Sequence, residues 1–396
     1  MRLECFFENK TLVYILVINI GSSSLKYGLL ELPAARVIVE SDQPLRGKSV
    51  TQAIREIPAV LAAAAAPAPS AIGHRVVHGG ERFTGPARLD DGVIAQIDAL
   101  APLAPLHNIN ALEGIRAARS CWPGVSQVAV FDTSFHATMP DQAKLYAVPE
   151  EWRKAGVRRY GFHGISHHAM LRRIEVATKR PASELRIVSF HLGNGASGCA
   201  IHYGRSIDTS MGMTPLEGLV MGTRSGDVDP GLHAHLERTL GLSAAQVEDF
   251  LYRRSGLAAL SGIGHDMREI EAAARDGNVR AQQALDVFCY RARKLVGAYA
   301  AAMGGLDVIS FTGGIGENSA GVRASICADL AFLGVALDPA RNDALRLRGL
   351  DAESIETPHS RVKIVVAQAG EQEAIARSVF ELTGSQNHSI GKETTA

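Results

Sequence analysis

Short runs of β-forming apolar residues recur along this chain, separated by stretches in which apolar positions return at helical spacing. Strands are predicted at 12–18 and 25–30, on either side of the turn "GSSS", and again at 127–131, 186–190, 306–311 and 362–366. Helical patterns fall at 108–119, 229–254 and 279–303. The stretch "AVLAAAAAPAPSAIG" at 59–73 reads as a helix end, a Pro-rich connection and the start of a strand that leads into "GHRVVHGG". Strands alternating with helices predict an α/β fold. One echo runs further. "VINIGSSSLKYGLLEL" and "SFHLGNGASGCAIHYG" both read strand, Gly/Ser/Asn turn, strand. Two such hairpins a domain apart suggest a duplicated fold with one hairpin per domain facing a shared cleft, although turns of this kind are common and the echo alone does not establish it.

The second hairpin contains Gly193, Gly195 and Gly198, the G-x-G-x-x-G spacing of a dinucleotide-binding turn. That spacing carries its usual meaning only when a strand precedes it and a helix follows. Here "CAIHYG" follows, with the alternation of a second strand, so the dinucleotide reading fails on context. A glycine-rich turn between strands still brings backbone N–H groups against something, and an anion is the natural partner.

The length of 396 residues suits two domains, each with its own core. Lys plus Arg and Asp plus Glu both total 41, so no net field draws the chain to nucleic acid or an anionic membrane. The apolar run "TLVYILVINI" is only ten residues, too short to span a bilayer, and it lacks the basic flank and cleavage site of a signal peptide. Five scattered cysteines without a C-x-x-C pair fit a reducing compartment and argue against a disulfide framework or structural zinc. The expected location is the cytoplasm, with no membrane or nucleic-acid partner.

Candidate chemistry lies in the turns. "RGKS" at 46–49 ends like a phosphate-binding Walker loop, but Asp42 stands where that motif begins with Gly, so it reads as a surface loop. "NIGSSSLK" gathers Asn19, the hydroxyls of Ser22, Ser23 and Ser24, and Lys26; it suits a phosphate, and equally a plain Ser-rich hairpin. "DVISFTGGIGENS" is a strand, a glycine turn and then Asn318 and Ser319, suited to starting a helix; a nucleotide against the glycines is the favoured reading, a tight βα connection the bland one. His163 and His167 stand four apart as in a zinc pair, but no third ligand or H-E-x-x-H glutamate accompanies them, so polar cleft histidines are the better reading. Arg75 and Arg224 each sit among glycines, where a ligand or a structural ion pair is expected rather than a solvated charge. Asp132 ends the apolar run "VAVFD"; a carboxylate there faces the ligand crevice of an α/β fold or caps a helix.

Together these stretches resemble a known family. "NIGSSSLK", "GHRVVHGGE", "LAPLHN", "VFDTSFHATMP", "RRYGFHGISHH", "HLGNGASG", "GMTPLEGLVMGTRSGDVDPG", "DMREI" and "FTGGIGENS" occur in the order and spacing of the acetate kinases, from about residue 12 to 377. The resemblance implies a duplicated actin-like ATPase (ribonuclease H-like) α/β fold, two domains around a central cleft, shared with sugar kinases, actin and the heat-shock chaperone ATPase. Its N-terminal domain would span 12–134, completed by a C-terminal helix at about 370–383, and hold the acyl and magnesium side. A second domain, 135–369, would bind nucleotide and form a homodimer. Residues 1–11 would be an extension and 384–396 a flexible tail.

The same resemblance assigns the site. Arg75 and Arg224 would hold acetate and the transferring phosphoryl group, His163 would steady the equatorial oxygens, and Asp132 would organise magnesium and Arg75 rather than act as a base. Asn19 and Glu371 match the positions beside Mg2+, for which Mn2+ is the alternative. Lys26 matches a phosphate contact, and His191, Leu192, Gly193, Asn194 and Gly195 match a clamp on the ATP phosphates. Asp266, Met267 and Arg268, with Gly314, Ile315, Gly316, Glu317 and Asn318, match an adenosine pocket for ATP or ADP. Val77, Leu106, Phe162 and Pro215 match a small apolar pocket for the methyl group. The implied reaction is reversible transfer between ATP and acetate, giving acetyl phosphate and ADP; a propionate or other short-chain acyl kinase is the alternative, and a non-catalytic ATP-gated module a more distant one. Two departures stand out: Ile20 replaces a usual Ala, and "AQAGEQEAIAR" keeps Glu371 but has Gln372 where the family has a second Glu.

Overall fold

A computed structural model describes residues 12–21, 24–347 and 352–384, the side chains of Pro105 and Leu106 excepted. Ser22, Ser23, the expected extension at 1–11 and the tail past 384 lie outside the described residues. The chain divides into two compact units: one runs to Ser134 and resumes at Gly370, and the other is Phe135–Ala369.

The first unit is built on β1 (Val13–Ile20), β2 (Ser24–Leu32), β3 (Arg36–Pro44), β4 (Ala71–Val76), β5 (Ala87–Arg88) and β6 (Ser126–Phe131), in the order β3-β2-β1-β4-β6-β5. The second uses β7 (Arg186–Leu192), β8 (Ala196–His202), β9 (Arg205–Thr209), β10 (Val308–Thr312), β11 (Ala352–Ser354) and β12 (Lys363–Ala367), in the order β11-β12-β10-β7-β8-β9. The two sheets share one plan. An antiparallel meander (β1 to β3, or β7 to β9) is extended by two strands parallel to its first strand, and an antiparallel edge strand closes the set. The hairpin echo is thus the start of each repeat, and the G-x-G-x-x-G turn joins β7 to β8.

Helices cover these sheets because their apolar faces match. Helix Val50–Ala63 starts in a capping box, in which Ser49 Oγ accepts from Gln52 N–H and Gln52 Oε1 accepts from Ser49 N–H. The "RGKS" loop therefore ends as a helix cap. Ile54, Ile57 and Leu61 from this helix meet Leu16, Ile18, Leu29 and Ile72 of the sheet in one buried cluster. Helix Glu371–Gly384 returns to the first unit over β4, where a Cβ on Gly73 would lie 2.7 Å from Ile375 Cγ2 and 2.8 Å from Val379 Cγ2. A side chain at 73 would lift this helix, and with it Glu371.

Two expectations are corrected. The pattern at 229–254 is two helices, Leu232–Leu240 and Ala244–Arg253, because Gly241 takes the left-handed conformation (φ +65°) and Ser243 caps the second helix through Gln246. The glycine turn after β10 is itself helical, Gly313–Asn318, and Ser319 accepts from Val322 N–H to start the next helix, Ala320–Cys327.

Buried histidines make the fold acid-sensitive. His74 in β4 and His136 after β6 are fully enclosed, and burial pushes both pKa values down to about 4. The folded chain keeps these rings neutral, while the unfolded chain protonates them below about 6.5. Stability is therefore fully present above that pH and lost as pH falls toward 4, by about 1.4 kcal/mol per pH unit for each ring. Urea midpoints should hold steady above about pH 7 and drop steeply below about pH 6; a midpoint unchanged down to about pH 4.5 overturns this.

Candidate active site

In the first unit three side chains meet at the carboxyl ends of neighbouring parallel strands, the usual ligand side of such a sheet. Asn19 is next to last in β1, Arg75 next to last in β4, and Asp132 follows β6, its N–H bonded to Val76 O at 3.0 Å. Arg75 Nε donates to Asp132 Oδ1 at 3.0 Å and Nη2 donates to Oδ2 at 2.6 Å, so one guanidinium edge grips both oxygens. Its Nη1 donates to Asn19 Oδ1 at 3.2 Å. The Arg75 side chain is 18% exposed and that of Asp132 is 2%. Burial pulls the Arg75 pKa down, but the carboxylates of Asp132 and Glu371 pull it further up, so the guanidinium stays charged. Glu371 opens the returning helix and thus joins the same electrostatic group. Val77 is buried beside this cluster in sequence, whereas the Leu106 side chain lies outside the described residues. Lys26 sits opposite Asn19 in the ladder, is half exposed, and pairs with Asp42 across β2 and β3 at 2.7 Å.

The second unit gathers His163, His191, Arg224 and the β7–β8 turn. A Cβ on Gly195 would lie 3.2 Å from His163 Cε1, 3.3 Å from its Nε2 and 3.7 Å from Arg224 Nη1, so both side chains approach this glycine. The rings of His163 and His191 are 4.3 Å apart between centroids. His163 itself takes the left-handed conformation, φ +57° and ψ +19°, just before helix Gly164–Thr178. That backbone is uncommon outside glycine, and such outliers cluster at functional sites. His191 Nδ1 pairs with Ser166 Oγ at 2.8 Å. In the turn, Gly193 N–H donates to Gly195 O at 2.9 Å, Asn194 is exposed, and Leu192 is fully buried in the core.

Arg224 stands on a braced loop. Its Nη1 donates to Pro215 O at 3.1 Å, and its guanidinium lies 6.0 Å from the Tyr252 ring centroid. Gly222 N–H donates to Asn194 O at 2.9 Å, tying this loop to the β7–β8 turn. Glu217 accepts from both Tyr146 Oη and Arg159, and Arg159 also donates to the carbonyls of Thr209, Ser210 and Met211. Phe162 is buried, and its carbonyl pairs with His136 Nε2 at 3.0 Å.

The expected adenosine residues separate by role. Asp266 caps helix Met267–Arg275 and pairs bidentately with the exposed Arg268, while Met267 points into the core. Gly314 is exposed, Ile315 half-buried and Gly316 buried along helix Gly313–Asn318. Glu317 Oε1 accepts from the Gly313 and Ala369 amides, both at 2.9 Å, fixing the start of that helix. Glu317 and Asn318 line a cavity of about 330 Å³ with Asp343, Arg346 and Gln368.

Some site residues had no reading in the sequence. Arg323, 1% exposed, donates to the carbonyls of Gly316 and Glu317 at 2.9 Å and holds the end of the glycine helix. A lone charge among the small and apolar residues of "AGVRASIC" was the available signal. Ser197 bridges His163 and His167, so that pair is joined by a hydroxyl and not set up as zinc ligands.

Known proteins share this arrangement of sequence and fold. The model of the acetokinase family matches residues 40–377. The acetate kinase of Thermoanaerobacter pseudethanolicus is 45% identical over 398 residues, covering 93% of this chain and 98% of that protein. Among solved structures, acetate kinase from Porphyromonas gingivalis superposes with a TM-score of 0.88 at 40% identity, over 94% of this chain and 100% of that one. A propionate kinase from Francisella tularensis subsp. tularensis superposes at 0.87 with 35% identity, over 93% and 99%. Likeness that runs nearly end to end, in sequence and in both repeats of the fold, leaves one conclusion: the chain belongs to the acetokinase family.

Proposed function

We propose that this chain is an acetate kinase, moving a phosphoryl group reversibly and in line between ATP and acetate to give acetyl phosphate and ADP. One observation carries the choice of acceptor. Asp132, the carboxylate at the ligand end of β6, has both oxygens engaged by Arg75. An alcohol acceptor needs a base to take its proton, and a carboxylate clamped this way is poorly placed to serve. A carboxylic acid, with a pKa of about 4 to 5, is already ionised at neutral pH and needs none. Its difficulty is repulsion from an anionic phosphoryl group, and that calls for fixed positive charge and alignment.

Arg75 and Arg224 supply that charge. Arg75 steadies the acyl carboxylate, Arg224 and His163 meet the phosphoryl oxygens, and the amides of the β7–β8 turn, with His191, hold the ATP phosphates. Arg268 and the cavity beside Glu317 and Asn318 take the adenosine. Asn19 and Glu371 are oxygen donors, the type that Mg2+ or Mn2+ prefers. Two such donors would leave the remaining positions of the ion to phosphate oxygens and water. When bound, that ion neutralises phosphate charge. Asp132 keeps Arg75 oriented, and Arg75 in turn bonds Asn19 Oδ1. A homodimer formed through the Phe135–Ala369 unit and a cytoplasmic location complete the proposal; no described helix is long and apolar enough to cross a membrane.

A propionate kinase is the second reading, because Val77 and Phe162, two of the residues proposed to meet the acyl methyl group, are buried and apolar, and one methylene changes discrimination by only about 1 to 3 kcal/mol. The test is ADP release with acetate, propionate and butyrate as acceptors. We expect kcat/KM for acetate to exceed that for propionate by about tenfold or more, with butyrate slower still. A propionate optimum moves the substrate and keeps the mechanism; ATP binding without turnover on any acid leaves a non-catalytic module.

A further inference from the structure

Behind His163 the second unit buries a line of polar side chains that the transfer chemistry does not use. His163 Nδ1 lies 2.9 Å from Ser197 Oγ, and the same Oγ lies 2.9 Å from His167 Nε2. His167 Nδ1 in turn lies 3.0 Å from Ser189 Oγ. Ser189, Ser197 and His167 are all at 0% exposure. The scaffold fixes each of them: Ser189 belongs to β7, Ser197 to β8, and His167 to the first turn of helix Gly164–Thr178.

Such a line has a direction. A serine hydroxyl has one proton to give, and a neutral imidazole has one N–H and one acceptor nitrogen. Burial, reinforced by the neighbouring His136 and His191, holds the His167 pKa well below the usual histidine value, so this ring stays neutral. With the Ser197 proton kept in the line, two arrangements exist. In one, Ser189 donates to His167 Nδ1, His167 Nε2–H donates to Ser197, and Ser197 donates to His163 Nδ1; a neutral His163 then carries its proton on Nε2. In the other every bond reverses, and a neutral His163 turns a lone pair outward at Nε2. That Nε2 edge is the one lying against Gly195 on the side of Arg224 Nη1. An anionic oxygen there is attracted by an N–H and repelled by a lone pair.

We propose that Ser197, backed by His167 and Ser189, is a positioning residue that fixes His163 as its Nε2–H tautomer, so that the ring offers a hydrogen-bond donor to the transferring phosphoryl group. The bonds alone allow both arrangements, so the choice of tautomer, like the functional half of this statement, rests on the role given to His163 above.

The test is a long-range 1H–15N correlation spectrum of the whole protein carrying 15N-labelled histidine, with His163 identified by its loss in His163→Gln. Expected in the parent is a protonated Nε2 and a bare Nδ1. Ser197→Ala should mix the two tautomers and lower kcat about tenfold, the scale of one hydrogen bond, with the ATP KM within about twofold. Ser197→Thr, which keeps the hydroxyl, should restore both the spectrum and kcat. A parent spectrum with the proton on Nδ1 overturns the proposal even if no variant folds, and so does a Ser197→Ala variant with unchanged tautomer and kcat. The spectrum needs no substrate: an Nε2–H tautomer in a protein without acyl-phosphate turnover upholds the relay and overturns the proposed function instead.

Discussion

An Arg75→Ala variant is expected to lose turnover by about a thousandfold or more and, separately, to lose about 3 kcal/mol of stability. The two losses have different origins. The first is catalytic: Arg75 offsets the repulsion between the attacking carboxylate and the anionic phosphoryl group, and a positive charge fixed at such a site before the reaction begins contributes several powers of ten in rate. The second follows from Asp132, whose side chain is 2% exposed and whose two oxygens accept from Arg75. Removing the guanidinium leaves that carboxylate buried without its countercharge, which costs far more than the pair contributes net. The double variant Arg75→Ala/Asp132→Asn removes the stranded charge, so it should regain much of the stability while remaining inactive. Urea midpoints and ADP release on the parent, both single variants and the double variant measure this. If the double variant is no more stable than Arg75→Ala, the clamp is not the source of the stability loss; if Arg75→Ala retains a tenth of the parent turnover, Arg75 does not neutralise the reacting anions.

How much of this was legible in the sequence depended on whether a residue's role is local or spatial. The β1–β2 and β7–β8 hairpins were legible because apolar strands flank turns made of Gly, Ser and Asn, and that pattern survives without tertiary context. The edge strands β3 and β9 were not, since "RVIVESDQP" and "RSIDT" are partly exposed and polar and owe their strand conformation to pairing with a neighbour. The helix break at Gly241 was missed because helical periodicity resumes in nearly the same phase after it, though Gly followed by Ser was there to be read. Asp132 could be singled out because it ends an apolar strand, whose outlook in an α/β fold is known, Arg75 because it sits among glycines, and Asn19 because it shares a turn with hydroxyls and a lysine. His167 was legible only as the partner of His163 four residues away, and Ser189 and Ser197 not at all, because a small polar residue inside a strand looks the same whether it faces solvent or a buried histidine. Helix geometry turns successive side chains about 100° apart, so within "DMR" Asp266 caps the helix, Met267 is buried and Arg268 is exposed.

Arg224 should divide the reaction from mere binding more sharply than any other residue of the second unit. Its guanidinium is aimed by the Pro215 carbonyl and the Tyr252 ring, and it shares the space over Gly195 with His163. The surrounding loop is braced by Glu217, Tyr146, Arg159 and the tie from Gly222 to Asn194, so the charge is held in place and little reorganisation is needed as the phosphoryl group moves. Arg224→Ala should therefore lower kcat by about 10³ to 10⁵ while the ATP dissociation constant changes little, because the lost interaction strengthens in the transition state. Arg224→Lys keeps a positive charge but loses the planar fork and the ring contact, so it should recover only a small part of the rate. Guanidinium ion added below denaturing concentration should raise turnover of the alanine variant and leave the parent unaffected. Those three responses together mark a missing charge at a formed site; equal losses in kcat and ATP affinity, with no response to guanidinium, would mean that Arg224 holds the loop together and that the charge stabilising the transferring group comes from elsewhere.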